Sequence, residues 1–292
     1  MLDEKQVAFY RREGYLGVEG VLSAAEVEEL RQVTEEFVER SRQVSQHDEI
    51  FDLEPGHRPE QPKLRRIKNP AAHHPVYDQA LRHRGILDIV AQLVGPAIRY
   101  NGQKLNLKSA EFGSPVEWHQ DWAFYPHTND DLLAVGIALD DMTLENGCLL
   151  VLPGSHTGPI LDHHQEGRFV GAVTQADFDD GAAVPVQLRA GGISIHHARL
   201  LHGSLPNTST RPRRLLLFQY CAGDAWPVMG TTPEVWEQTL LRGALTYEPR
   251  VTSVPVRLPL PPALRQGSIY ETQTLLQQST FKKAKEKAGA GR

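Results

Sequence analysis

The chain has 292 residues, a formal net charge of −5 and 13 histidines, length enough for an all-β barrel or sandwich to bury a substantial core. No concentrated basic face argues for a nucleic-acid partner, and no uninterrupted apolar run approaches membrane-spanning length. Cys148 and Cys221 each sit in an apolar run without metal-type spacing, and the N-terminus opens with charges rather than the apolar core of a signal peptide, so a cytoplasmic protein with reduced, buried thiols is expected.

In chain order, helices come first. A short helix over residues 3–13 ends at Gly14 and is followed by a strand at Tyr15-Leu16-Gly17-Val18. Ser23-Ala24-Ala25-Glu26 has the spacing of a capping box and starts a long helix whose Val27, Leu30, Val33 and Phe37 recur at helical spacing as a buried stripe. The next helix begins near Pro75 and carries Ile86, Val90 and Leu93 inward until Gly95-Pro96 stops it.

From about Ile98 the period changes to two. In Lys104-Leu105-Asn106-Leu107-Lys108 the polar side chains share one face and the leucines the other, the pattern of a strand with one apolar and one wet or ligand-lining face. Further strands read at 132–139, 148–152, 184–188, 193–197 and 213–221, punctuated by Asn146-Gly147, Pro153-Gly154-Ser155 and Gly191-Gly192 turns. Many short strands behind an N-terminal helical part predict a mainly β protein with flanking α-helices, a sandwich or jelly roll, and argue against a parallel α/β sheet. The divisions are a helical part at 1–97, a core at 98–225, a helical or irregular extension at 226–280 and a basic flexible tail at 281–292.

Trp118-His119-Gln120-Asp121-Trp122 carries the chemistry. Side chains at i and i+2 of a strand project from one face, so His119 and Asp121 can grip one metal ion while Gln120 points away. A third ligand is available in Ile193-Ser194-Ile195-His196-His197-Ala198-Arg199-Leu200-Leu201-His202, where His196, His197 and His202 compete. Two imidazoles and one carboxylate on one face of iron leave positions open for oxygen chemistry. His164-Gln165-Glu166 offers a rival pair, but its polar stretch reads as a solvated, mobile loop without the apolar alternation of a rigid strand.

The ordered set Trp118 to Pro126, Leu144-Glu145-Asn146-Gly147-Cys148-Leu149, Val151-Leu152-Pro153-Gly154-Ser155-His156 and His202-Gly203-Ser204 with Asn207 and Arg213 resembles the phytanoyl-CoA dioxygenase family, from the first helix to about Ala225. The resemblance implies a single dioxygenase domain over 1–280 with a double-stranded β-helix (jelly roll, cupin-like) core. It implies a hydroxylase that uses Fe(II), 2-oxoglutarate and O2, with ascorbate as an accessory reductant, and releases succinate and CO2. Carried over residue by residue, the iron ligands are His119, Asp121 and His202, and Arg213 clamps the far carboxylate of 2-oxoglutarate, a task that suits the guanidinium fork. Lys68, Asn106 and Ser204 match positions near the co-substrate. Related halogenating enzymes lack the carboxylate ligand, so Asp121 favours hydroxylation.

On this reading His196 is a packed or surface-facing strand residue and His197 lines the site behind the ligands. Arg214 faces opposite to Arg213 on its strand, and Arg211 belongs to the preceding turn. Substrate selection falls to the loops at Ser45–Arg66 and Ile160–Ala183, with Arg168, Lys104 and Tyr125 able to meet a small anionic or polar substrate, an acyl thioester, an amino acid or a secondary metabolite. Two other classes fit the residues: a cupin-like metal enzyme that does not use 2-oxoglutarate, and a non-catalytic jelly-roll binding protein.

Overall fold

A computed structural model of the chain describes residues 1–110, 113–263, 269–276 and 279–281. The tail expected from 281 lies, beyond Phe281, outside the described residues. Helix α1 (Glu4–Glu13) closes on Gly14 in the left-handed conformation, β1 (Tyr15–Val18) follows, and α2 (Ala24–Arg40) starts with the expected Ser23–Glu26 capping box, its buried face formed by Val27, Leu30, Val33, Thr34 and Phe37.

The chain then departs from the expected course. Two strands, β2 (Phe51–Leu53) and β3 (Leu64–Lys68), occupy the segment read as a substrate loop. The single helix expected from Pro75 is instead α4 (Pro75–Leu81) and α5 (Arg84–Val94), preceded by a one-turn α3 (Pro70–His73). Both breaks are made by imidazoles. His74 Nδ1 accepts from Val76 N–H and His83 Nδ1 accepts from Ile86 N–H, each at 3.3 Å, so histidine takes the capping role that Ser, Thr, Asp or Asn usually fill. Val94 rather than Leu93 takes the last fully buried position of α5.

The strands β4 (Ile98–Lys108), β5 (Val116–His119), β6 (Leu132–Ala138), β7 (Leu149–Val151), β10 (Val184–Val186), β11 (Ile193–His197), β12 (His202–Ser204) and β13 (Arg213–Ala222) form two antiparallel sheets; between β7 and β10 lies a hairpin of β8 (His164–Gln165) and β9 (Arg168–Phe169). The larger sheet runs β1-β11-β6-β13-β4-β3-β2, with β14 (Leu240–Arg242) also pairing β4; the smaller runs β10-β7-β12-β5. The outer face of the large sheet packs on the N-terminal helices, where Ile67, Leu105, Ile137, Ile195, Leu216 and Phe218 join Phe37, Tyr77 and Ile86 in one apolar cluster. Its inner face and the small sheet line a cavity, open to solvent at one side, of about 580 Å³. This is the double-stranded β-helix expected of the chain.

Past β13, α6 (Pro233–Gln238) lays Trp236 against buried Arg99, whose Cζ lies 3.5 Å from the ring centroid, and α7 (Ile269–Gln273) packs by β5. No described helix is long and apolar enough to cross a membrane.

Candidate metal centre

Strand β5 delivers His119, but Asp121 does not lie on a strand as expected. It opens a 3-10 turn over Asp121–Ala123. The two side chains still face together because Gln120 between them is extended (φ −119, ψ 125) and points away, its amide donating to Arg199 O at 2.8 Å and to Pro159 O at 3.2 Å. Fully buried Trp118 and Trp122 pin the segment from both ends, through Nε1 bonds to Asp180 (3.0 Å) and to Pro255 O (2.7 Å).

His202 enters from β12, whose register sets it opposite His119 on β5. One ligand atom from each of His119, Asp121 and His202 lies within 4.8 Å of the others, the only such His/Cys/Asp/Glu group among the described residues, and all three are buried. Asp121 Oδ1 is 3.7 Å from His119 Nε2 and 4.0 Å from His202 Nε2. Backbone carbonyls choose the tautomers: His119 Nδ1 donates to Glu117 O at 2.8 Å and His202 Nδ1 to Leu200 O at 2.9 Å. Each Nε2 therefore presents a lone pair to the shared point, the arrangement that orients metal-bound imidazoles.

Burial reinforces that state. It pushes His119 down to about 4, against the pull of Asp121, and His202 well below its ordinary value, so both rings are neutral ligands near pH 7. Burial alone would raise the Asp121 carboxyl, but His196, His202 and Lys104 around it outweigh that and hold it well below the usual carboxylate range. Two neutral imidazoles and one carboxylate, facing one point from three sides, fit Fe(II).

Two histidines change place relative to the expectation. His196, not His197, faces the metal position: its Nε2 is 3.5 Å from Asp121 Oδ2 and its ring centroid 4.2 Å from that of His202. His197 turns outward, with its ring 5.2 Å from His156 and its Nδ1 accepting from Arg199 N–H. Strand alternation makes the choice once β11 is registered against β6.

The rival pair is also placed. The stretch read as a solvated loop is a two-stranded hairpin whose turn, Glu166-Gly167, has positive φ at both residues. His164 is buried and bonded to Asp162 Oδ1 and to Leu260 O, both at 3.2 Å, and belongs to no metal group among the described residues. Its neighbour His163 reaches the centre unannounced. His163 Nδ1 donates to Leu161 O (2.8 Å), which leaves Nε2 to accept from Gln120 N–H at 3.0 Å, fixing the backbone between the two ligands of the motif.

Behind the triad the inner face of β4 and β13 is cationic. Arg213 is buried; its Nη2 donates to Gly147 O at 2.7 Å and its Nε has no partner among the described residues. Lys108 sits opposite Arg213 in the β13–β4 register, fully buried, donating to Ser204 Oγ at 2.8 Å and also to Leu205 O. Burial first and Arg213 second push its ammonium well below its ordinary value. Asn106, Ser204, Lys104 and Tyr270 line the same cavity. Lys68 stands apart from it, ion-paired to Asp52 at 3.3 Å, whereas Arg66 on the same strand reaches inward, bonding Asn106 Oδ1 at 3.3 Å.

Lys108, Arg66, His163 and Tyr270 were not picked out as site residues. Lys108 had a signal, since it shares the period-two polar face of Lys104 and Asn106. Tyr270 had none, because it comes from the segment beyond Trp226 where motifs are weak.

Comparison with known proteins agrees with this geometry. Residues 10–215 match the family described as phytanoyl-CoA dioxygenase. A protein of Stutzerimonas stutzeri named as a probable alpha-ketoglutarate-dependent hypophosphite dioxygenase is 36% identical over 280 residues, covering 93% of this chain and 97% of that one. An L-proline trans-4-hydroxylase of Streptomyces griseoviridis is 31% identical over 233 residues, covering 72% and 83%. Among solved structures, the epimerase SnoN in complex with Fe3+, alpha ketoglutarate and nogalamycin RO superposes with a TM-score of 0.62 at 25% identity, covering 79% of this chain and 92% of that one. With the triad in place, the chain belongs to the phytanoyl-CoA dioxygenase family and is an iron(II)- and 2-oxoglutarate-dependent dioxygenase.

Proposed function

We propose that the protein hydroxylates a small substrate at an unactivated C–H bond, one oxygen atom of O2 entering the product and the other entering succinate as 2-oxoglutarate loses CO2. The observation that carries the reading is the complete triad, with carboxylate Asp121 among its ligands, lining the cavity between the two sheets. Iron(II) and 2-oxoglutarate supply the activation of O2. His119, Asp121 and His202 hold the metal, and the surrounding buried side chains keep water from the reacting centre.

Arg213 and Lys108 are two buried cations with no carboxylate bonded to either among the described residues. We assign them, with Ser204 and Asn106, to the co-substrate: Arg213 takes its far carboxylate through the open Nε, and Lys108 and Ser204 flank it. Lys68, answered by Asp52, serves this site at most through charge.

One observation favours a second reading, hydroxylation at P–H rather than C–H. The relative of that stated activity aligns over nearly the whole of both chains, whereas the proline hydroxylase aligns over less. Both are tested together. Purified protein with Fe(II) and 2-oxoglutarate is given hypophosphite, L-proline and a set of small carboxylates and acyl thioesters, and succinate is measured with 18O2 as oxidant. Substrate-dependent succinate and one labelled oxygen in the product are expected. Succinate that never rises above the substrate-free background for any compound would overturn the hydroxylase reading.

A further inference from the structure

We propose that the substrate is a small anion whose charged group is received by Lys104 and Arg66, with Tyr125 and Gln219 also lining the entrance; the inference rests on the hydroxylase reading and names the substrate class of that site.

The cavity opens past the triad into an outer cleft of about 1080 Å³, and Lys104, Asp121 and Ile269 line both. The cleft is where a second molecule approaches the metal, since the inner end, lined by Arg213 and Ser204, is assigned to the co-substrate. Lys104 has no hydrogen-bond or ion-pair partner within bonding distance among the described residues. Burial lowers its ammonium below its ordinary value, against the opposing pull of Asp121. Arg66 is also buried, and its Nη2 has no partner among the described residues. Its nearest carboxylate, Asp52, is 3.9 Å away and is shared with Lys68 at 3.3 Å.

The charges on this face do not balance. Arg66, Lys68 and Lys104 share it, the first two paired across to Asn106 and Lys104 on β4; Asp52 pairs with Arg66 and Lys68, and Glu271 adds its charge toward Arg66 from further off. Asp121 is committed to the metal. Buried cations without counter-charge are costly unless something completes them, and a compact oxyanion or carboxylate does so through charge-assisted hydrogen bonds. Beside them the Tyr125 hydroxyl is bonded to Gln219 Nε2, which lies 3.5 Å from Asp121 Oδ2. That pair supplies neutral hydrogen-bonding groups beside the metal ligand.

The alternative is that Lys104 and Arg66 hold 2-oxoglutarate. Spacing along β4 argues against it. Lys104 and Lys108 are four residues apart, about 13 Å at strand rise, and the anchor assigned to the far carboxylate, Arg213, stands opposite Lys108.

The test uses the full chain with Fe(II) and 2-oxoglutarate under anaerobic conditions, reading the visible charge-transfer band. Hypophosphite, phosphite and isobutyrate are titrated, with isobutanol as the neutral counterpart of the last. At least one anion is expected to perturb the band saturably and isobutanol is not; the two kinds of anion separate a phosphorus oxyanion from a carboxylate substrate. Lys104→Gln and Arg66→Gln should each weaken that anion by about tenfold or more, the loss typical of a charge-assisted hydrogen bond, while changing 2-oxoglutarate affinity by less than about twofold. Lys104→Arg should restore part of the loss. Because the band itself reports a folded, loaded site, a variant that fails to fold is recognised by its absence, and the other variant then decides. Weakening of 2-oxoglutarate to the same degree as the anion, a response to isobutanol equal to that of isobutyrate, or no response to any of the three anions would each overturn the inference. A neutral compound that turns over would do so too while leaving the hydroxylase reading intact.

Discussion

Arg213 and Arg214 are adjacent on one strand and meet opposite fates. Arg214 faces outward, where its guanidinium bonds both oxygens of Asp140 (Nε at 2.9 Å, Nη2 at 2.7 Å) and Glu35 at 2.5 Å. Arg213 faces inward, buried, with a single carbonyl as hydrogen-bond partner and an open Nε among the described residues. On the outer face Arg214 is answered by two carboxylates at bonding distance; on the inner face no carboxylate among the described residues bonds Arg213, Lys108 or Lys104, and the one beside Arg66, Asp52, is 3.9 Å away and shared. An interior that keeps several cations under-answered is costly for a folded chain by itself. It is the arrangement expected where anionic ligands complete the balance, and its cost sits beside the reactive centre rather than in the apolar core.

The largest test of this contrast is at the metal. His119→Ala, Asp121→Ala and His202→Ala should each abolish the visible band of the anaerobic Fe(II)–2-oxoglutarate complex while leaving the circular dichroism of the β core unchanged. A full band after His202→Ala would move the third ligand to His196, whose Nε2 already lies 3.5 Å from Asp121.

Next in size is the arginine pair itself. Arg213→Ala should weaken 2-oxoglutarate binding by roughly 2 to 5 kcal/mol, the usual cost of deleting one partner of a desolvated charge pair. Arg214→Ala should leave that affinity alone and lower unfolding stability by roughly 1 to 3 kcal/mol, through lost bonds to charged groups. Equal effects of the two on 2-oxoglutarate, measured by titration of the same band, would erase the distinction between the faces.

Protonation probes the enclosed region in a graded way. Burial depresses His163 from 6.5 to about 3 and His127 from 6.5 to about 4. The folded protein therefore refuses protons that the unfolded chain accepts at these sites. Their stabilising contribution is complete above pH 6.5 and is lost as pH falls from there toward their folded values, by up to about 1.4 kcal/mol per pH unit for each group. Chemical unfolding of the metal-free protein between pH 7 and 5 should show this decline, and His127→Asn should flatten it. A midpoint independent of pH across that range would contradict the enclosure of these rings.

The smallest expected effect is at the hairpin. His164→Ala with Glu166→Ala should leave iron stoichiometry and the 2-oxoglutarate band intact, because His164 is already bonded to Asp162 and Leu260 and stands outside the triad. Substrate turnover, or its coupling to succinate, is where a change should appear. Loss of stoichiometric iron in this double variant would return the rival pair to contention.

Much of the architecture was legible because it is written in local periodicity. The capping box at Ser23–Glu26, the helical stripe from Val27 to Phe37 and the alternation of β4 and β13 depend only on neighbours a few residues away. The ligand pair His119–Asp121 was legible for the same reason, although Asp121 turned out to open a 3-10 turn rather than continue a strand. The helix start at Pro75 was legible, but the break at His83 was not, because an imidazole caps a helix only where its ring happens to be held against the next turn.

What composition, periodicity and motif order determined is the class of fold, the ligand types and the polar face of β4. Tertiary structure alone decided which of His196 and His197 faces the metal, that His163 fixes the backbone at Gln120, that Arg66 rather than Lys68 lines the outer cleft, and that Tyr270, from the far end of the chain, lines the cavity. These are matters of strand register and of contacts between residues as far apart as Arg66 and Tyr270. A pattern along the chain states which residues can share a face; which face meets which is set when two sheets and their connections pack into one interior.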